Sequence, residues 1–218
     1  MKERLPERPA GVPGDGGRAA FLARLTAGAT HEIRNVLAIV KESAGLVQDL
    51  VDAGTGASRG DKVGWALERI QLQVTRGTEL STALNRVMHG LDHETETVEL
   101  AEAVQHAGLL SRRFAHQNRR KLELEPGPDG VTVTTNALDL YMALVATLEW
   151  CLARVPEGET VVVGPEQRDG AAVRFRAAGS GFGEVAIEAD DPPARAAARV
   201  GGRLESRVAE GTVLLRFH

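Results

Sequence analysis

Histidine, glutamate and asparagine stand at positions 31, 32 and 35 of the stretch HEIRNVLAIV, at the head of an apolar run. An imidazole with its ordinary pKa near ~6.5 is an available nucleophile at neutral pH. A neighbouring carboxylate can hold one ring nitrogen as its N–H donor and leave the other free to attack. Setting the apolar face of the surrounding helix at zero and advancing about 100° per residue puts His31 and Asn35 each about 160° from that face, on either side, and Glu32 about 100° away. His31 therefore belongs on the solvent side, which argues against a packed core histidine. Two readings remain at this point: a nucleophile with an acid and an amide beside it, or the solvated polar face of a helix.

The helix that carries them runs from about Arg18 to Asp52. Ile33, Val36, Leu37, Val40, Ala44, Val47 and Val51 recur at steps of three and four and gather on one face. The breakers DAGTGASRGD follow. A second apolar repeat, through Val63, Leu67, Ile70, Val74, Leu80, Leu84, Val87 and Met88, predicts a helix from Asp61, its expected N-cap, to Leu91. Two long helices and a short loop make an antiparallel hairpin. Such a hairpin exposes an apolar stripe, and two helices enclose no core. The economical cover is a second copy of the chain, giving a four-helix bundle by two-fold symmetry; the alternative is that residues 98–218 fold back over the stripe.

After His93 the pattern changes. TVELAEAVQHAGLLSRRFAHQNRR reads as a short strand and a helix, KLELEP and VTVTTN as strands, and ALDLYMALVATLEWCLARV as a helix. ETVVVGP and AAVRFRAA are strands joined by the turn EQRDG, PARAAARV is helical, and GGRLESRVAEGTVLLRFH closes as a hairpin. The expected class is α+β: a long helical hairpin at 18–93, then a sandwich with helices over one sheet face at 97–218, preceded by a Pro- and Gly-rich flexible leader at 1–17.

Composition narrows the setting. The net charge of −4 makes no case for nucleic acid, and the single cysteine, Cys151, suits a reducing cytoplasm. No stretch approaches ~18 consecutive apolar residues, and the start lacks the apolar middle of a signal peptide, so neither a membrane span nor secretion is expected. GSGFG is a tight turn rather than a phosphate loop, lacking a P-loop lysine. His89 and His93 have a helical zinc spacing but no third ligand, so no metal site is expected. RRFAHQNRRK reads by default as a solvated basic face, with Arg112 and Arg113 as the residues that could meet an acidic partner. Cys151 is expected in the core.

Taken whole, LTAGATHEIRNVLAIV resembles the phospho-acceptor segment of the two-component sensor histidine kinases, in which a His-Glu pair, two residues and then Asn or Thr open the first helix of a dimeric hairpin. Val36 stands where that family usually has proline, which implies a less kinked helix. TVELAEAV with KLELEP, and VGGRLESRVAEGTVLLRF with its turns at Gly201, Gly202, Gly211 and Thr212, are similar to the opening and closing parts of the family's Bergerat-type ATPase domain. The resemblance implies that His31 accepts a phosphoryl group, that Glu32 assists as base, and that Asn35 places a water for dephosphorylating the partner. It implies further that Arg34, Ala38 and the first turns meet a response-regulator receiver.

The nucleotide positions depart from that pattern. Ala146 and Trp150 stand where the family carries two asparagines, and Ala177 stands where it carries an aspartate, although Gly179 and Gly181 remain. Neither Ala146 nor Trp150 offers an oxygen to a hard cation. The stretch from Gly183 to Gly201 is too short for the usual lid. The resemblance thus implies a histidine phosphotransferase with a degenerate Bergerat-type domain, binding no cofactor of its own. It would be a homodimer relaying phosphoryl groups between receiver domains, that of a hybrid kinase among them, with Mg2+ supplied by the receiver. A divergent ATP-using kinase, and a non-catalytic or phosphatase module of the same pathway, are the alternatives.

Overall fold

The computed structural model describes residues 15–54, 57–179, 181–183, 187–207 and 210–217. Two long helices, α1 (Asp15–Asp52) and α2 (Ala57–His89), form the hairpin. Then come β1 (Glu96–Glu99), α3 (Leu100–Gln117), β2 (Lys121–Leu124), β3 (Thr132–Thr135) and α4 (Ala137–Arg154). The chain ends with β4 (Thr160–Glu166), β5 (Ala172–Ala177), α5 (Pro192–Arg199), β6 (Gly202–Arg207) and β7 (Thr212–Phe217). The α+β class is as expected. Residues 1–14 of the expected leader lie outside the described residues, and α1 already includes Asp15, ahead of the Arg18 boundary. The expected N-cap at Asp61 is corrected: α2 starts at Ala57, so Asp61 lies inside the helix.

The strands make two sheets rather than one. β1 and β3 pair antiparallel as a separate ribbon, and five strands follow the order β2-β4-β5-β7-β6, with only β2 and β4 parallel. Val161, Val163, Val173, Phe175, Val213 and Leu215 alternate onto the face that packs beneath α3, α4 and α5, and all are essentially inaccessible. The other face carries ion pairs, among them Glu125 with Arg174 and Arg176, and Glu205 with Arg216.

The hairpin is anchored on this sandwich. Phe21 and Leu25 of α1 and Val87 of α2 belong to the same buried cluster as Leu138, Leu144, Leu148 and Phe175. Arg18 meets Asp139 through two hydrogen bonds, 3.0 and 2.6 Å, and Arg24 meets Glu149 at 2.5 Å. Arg86 meets Glu96 through two more, at 3.0 and 2.8 Å, which holds the Glu96 carboxyl below its usual range. The sandwich thus covers the near end of the stripe. The far end stays open, with Leu37, Val51, Trp65, Leu67, Leu72 and Val74 exposed.

Asn136 locks the joint. Its side-chain oxygen caps α4 by accepting from the Asp139 N–H at 3.0 Å. Its amide donates to the His93 and Glu94 carbonyls at 3.0 and 3.2 Å. Gly90 closes the same joint, because a Cβ there would lie 2.6 Å from the backbone nitrogen of Leu138. Backbone cannot yield as a side-chain tip can. We expect Gly90→Val to cost about 1–3 kcal/mol. Gly64→Ala, in open space on exposed helix, should be neutral or stabilise by up to ~1 kcal/mol. Equilibrium denaturation midpoints check both, and equal midpoints for Gly90→Val and wild type would refute the close approach.

His106 is a buried polar group between α2, α3 and α4. Its Nδ1 lies 3.1 Å from the Tyr141 hydroxyl, and burial pushes its pKa down despite Glu102 nearby. Below about pH 6.5 an unfolded chain takes up a proton at this position that the folded chain refuses until lower pH, so stability falls as pH drops through that window. Wild type is therefore expected to lose more Tm than His106→Gln between pH 7.5 and 5.5; parallel losses would remove His106 as the cause.

Candidate functional site

His31 lies midway along α1 with its side chain exposed, as the helical angles require. Asn35 follows one turn later on the same face. Its amide nitrogen lies 3.3 Å from His31 Nδ1. A half-turn of that amide presents the oxygen instead, and O and N assignments in Asn are set by such networks. The carbonyl oxygen then accepts from Nδ1–H, and the neutral ring keeps its free lone pair on Nε2. Glu32, the carboxylate expected beside the ring, is held elsewhere: Arg76 of α2 donates to it at 3.0 Å, and Arg113 of α3 stands 4.0 Å away. Arg34 and Ala38 are exposed along the same stretch of α1.

Two hollows flank this ridge. One, of about 380 Å³, runs between α1 and the α3–α4 surface and is lined by His31, Arg24, Gly28, Arg113, Phe114 and Glu149. The other, of about 600 Å³, is lined by Glu32, Asn35, Ala38, Arg76, Arg112 and His116, with Arg113 shared between the two. Gly28 widens the first hollow. A Cβ there would meet nothing within 4 Å, so packing does not require glycine at a position where alanine would favour the helix by ~1 kcal/mol. Burial pushes the Glu149 carboxyl up, and its partner Arg24 pulls it back.

The charge balance is one-sided. Arg76, Arg112 and Arg113 line the second hollow with Glu32 as its carboxylate, in a chain whose net charge is −4. RRFAHQNRRK is solvent-facing at Arg112 and His116, as expected, and Arg112, Arg113 and His116 also line the second hollow. Their spacing was the available signal, since Arg112, Arg113 and His116 share one face of α3 at steps of three and four. Nothing in the sequence pointed to Arg24, Arg76 or Glu149.

The positions of the expected nucleotide site are filled. Trp150 is 3% exposed and Ala177 7%. The Arg154 guanidinium stacks over the Trp150 ring at 3.6 Å, and Phe182 closes its edge with ring centroids 6.4 Å apart. The turn holding Gly181 packs so close to Gly211 that a Cβ there would lie 3.2 Å from the Gly181 Cα. Among the described residues, Trp150, Arg154, Ala177 and Phe182 offer a nucleotide no carboxylate for its base and no amide for its phosphates or their cation. The Asn136 side chain, at the head of the same helix as Trp150, is committed to the α4 cap and the joint. His89 pairs with Asp92 at 2.6 Å, and among the described residues no group of three His, Cys, Asp or Glu could hold a metal. Cys151 is buried, which pushes its thiol pKa up. Among the described residues no helix is long and apolar enough to cross a membrane.

No family model and no curated protein matches the sequence. Among solved structures the chain is similar to the cytoplasmic segment of histidine kinase QseC, at 15% identity and a TM-score of 0.45 over 63% of this chain and 92% of that one. It is similar to Acinetobacter baumannii histidine kinase AdeS at 12% identity and a TM-score of 0.43, over 85% of this chain and 94% of that one. Histidine kinase ThkA in complex with response regulator protein TrrA matches at 15% identity and a TM-score of 0.43, over 91% of this chain and 61% of that one.

Proposed function

We propose that this chain is a histidine phosphotransferase of the two-component type, related to sensor histidine kinases but not driven by ATP. The observation that carries the reading is the pairing of an exposed His31, ring nitrogen against Asn35, with a neighbouring site plugged by Trp150, Arg154 and Phe182. The Nε2 lone pair of His31 attacks the phosphorus of an aspartyl phosphate on a receiver domain. An N–P bond forms, the acyl P–O bond breaks, and the receiver keeps the electron pair as carboxylate. The Nδ1 proton, held against Asn35 during the attack, then leaves to solvent, so the ring ends as a neutral phosphoimidazole. Acyl phosphate and phosphoramidate are both high in energy, so the group can pass onward to a second receiver without a nucleotide. What the protein contributes is placement and electrostatics.

The receiver would bring its own Mg2+, and Arg34, Ala38 and the neighbouring turns of α1 would meet it. The exposed stripe through Leu37, Val51, Trp65 and Leu72 supports a second copy of the chain as its cover, giving a four-helix bundle with two equivalent His31 sites in the cytoplasm. Parallel incubations test the reading. Radiolabel should reach the chain from a phosphorylated receiver and not from ATP alone; label from ATP alone would favour a divergent kinase and end this proposal.

A further inference from the structure

Arg113 is the side chain of α3 that borders both hollows beside His31. Its carboxylate neighbour, Glu32, stands 4.0 Å away, beyond hydrogen-bond reach, and is already taken at 3.0 Å by Arg76. The guanidinium is partly covered, with 29% of its side chain exposed, so solvent screens it less than a free surface arginine. Arg24 also borders the first hollow, but its charge is met by Glu149. The wall beside the imidazole therefore carries a cation whose neighbouring carboxylate is shared with another arginine.

Resting on the phosphotransferase reading, we propose that Arg113 is the phosphoryl-binding residue of this site, turning from Glu32 to the phosphoryl oxygens once they reach His31. A phosphoryl group on Nε2 brings two negative charges to the mouth of the 380 Å³ hollow. Gly28 leaves room there, and the planar guanidinium fork matches two phosphoryl oxygens, as it matches a carboxylate. Arg76 keeps Glu32 neutralised when Arg113 leaves, so the exchange strands no carboxylate. The bond changes are those of the transfer itself; Arg113 gains and loses no proton.

The experiment uses the full chain in two arms. In the first, wild type, Arg113→Gln and Arg113→Lys receive label from a phosphorylated receiver. Arg113→Gln is expected to slow labelling about ten- to a hundredfold, the worth of a hydrogen bond to a charged group, and Arg113→Lys to recover part of the rate. In the second, the same proteins are phosphorylated with phosphoramidate, which needs no receiver, and the phosphohistidine is titrated by 31P NMR. The phosphoryl group of wild type should ionise about one pH unit below that of Arg113→Gln, because the cation favours the dianion. Circular dichroism and Tm screen the variants for folding, and a merely structural role for Arg113 would leave the 31P midpoint unmoved. Equal midpoints in the second arm overturn the inference, even if the receiver labels His31 normally. If the receiver labels nothing while the midpoints differ, the relay reading fails and the Arg113 site stands.

Discussion

His31→Ala is expected to reduce label taken from a phosphorylated receiver to background, the largest single effect the structure predicts. The side chain is exposed, so its loss opens no cavity, and the variant should match wild type in stability within about 0.5 kcal/mol. Removing the nucleophile leaves the hollows and their arginines in place. The receiver can still dock and cannot transfer. Asn35→Ala should act more mildly, slowing transfer about fivefold through loss of one hydrogen bond of ~1 kcal/mol to the ring. Wild-type labelling of His31→Ala would show that another group accepts the phosphoryl, and the assignment would be lost.

The second large effect concerns the plugged site. Trp150→Asn introduces an amide where the resemblance places one of the family's two asparagines, yet it should cost about 3–5 kcal/mol rather than confer ATP use. The indole is buried against Phe182 and beneath the Arg154 guanidinium, and truncation leaves a cavity together with a cation stripped of its stack. A buried amide without partners adds to the loss. That is a large share of the ~5–15 kcal/mol by which domains are stable. Adding Ala177→Asp places a carboxylate in a position only 7% exposed and should worsen the result. Denaturation midpoints and ATP-dependent labelling of His31 check it together. A double variant as stable as wild type that labels from ATP would show that the pocket persists beneath its filling.

Much of the fold was legible because its signals are local. The strands KLEL and TVTT, the helix from Ala137 to Arg154 and the closing hairpin each declare themselves by period and by turn residues. The start of α2 was misplaced because Asp61 is a good capping residue, whereas the helix begins at Ala57, among small residues with weaker signals. That β1 and β3 leave the main sheet depends on long-range pairing, Val98 opposite Val133, which no local pattern encodes. At the site, His31, Glu32 and Asn35 could be placed by helical angle alone. Where the Glu32 carboxylate turns could not, because Arg76 and Arg113 are 44 and 81 positions further along the chain. Side chains from three helices meet only after the hairpin settles on α3 and α4.

The Arg18–Asp139 and Arg24–Glu149 ties, with Asn136 and Gly90 at the joint, have a consequence for partner choice. They fix the gap between α1 and α4, so the walls of the hollow beside His31 behave like the jaws of a caliper set to one width. On the phosphotransferase reading, a visiting domain would be gauged by thickness as well as by charge before any bond is made. Selectivity among similar visitors then resides in the stiffness of the fastening, far from the reacting nitrogen.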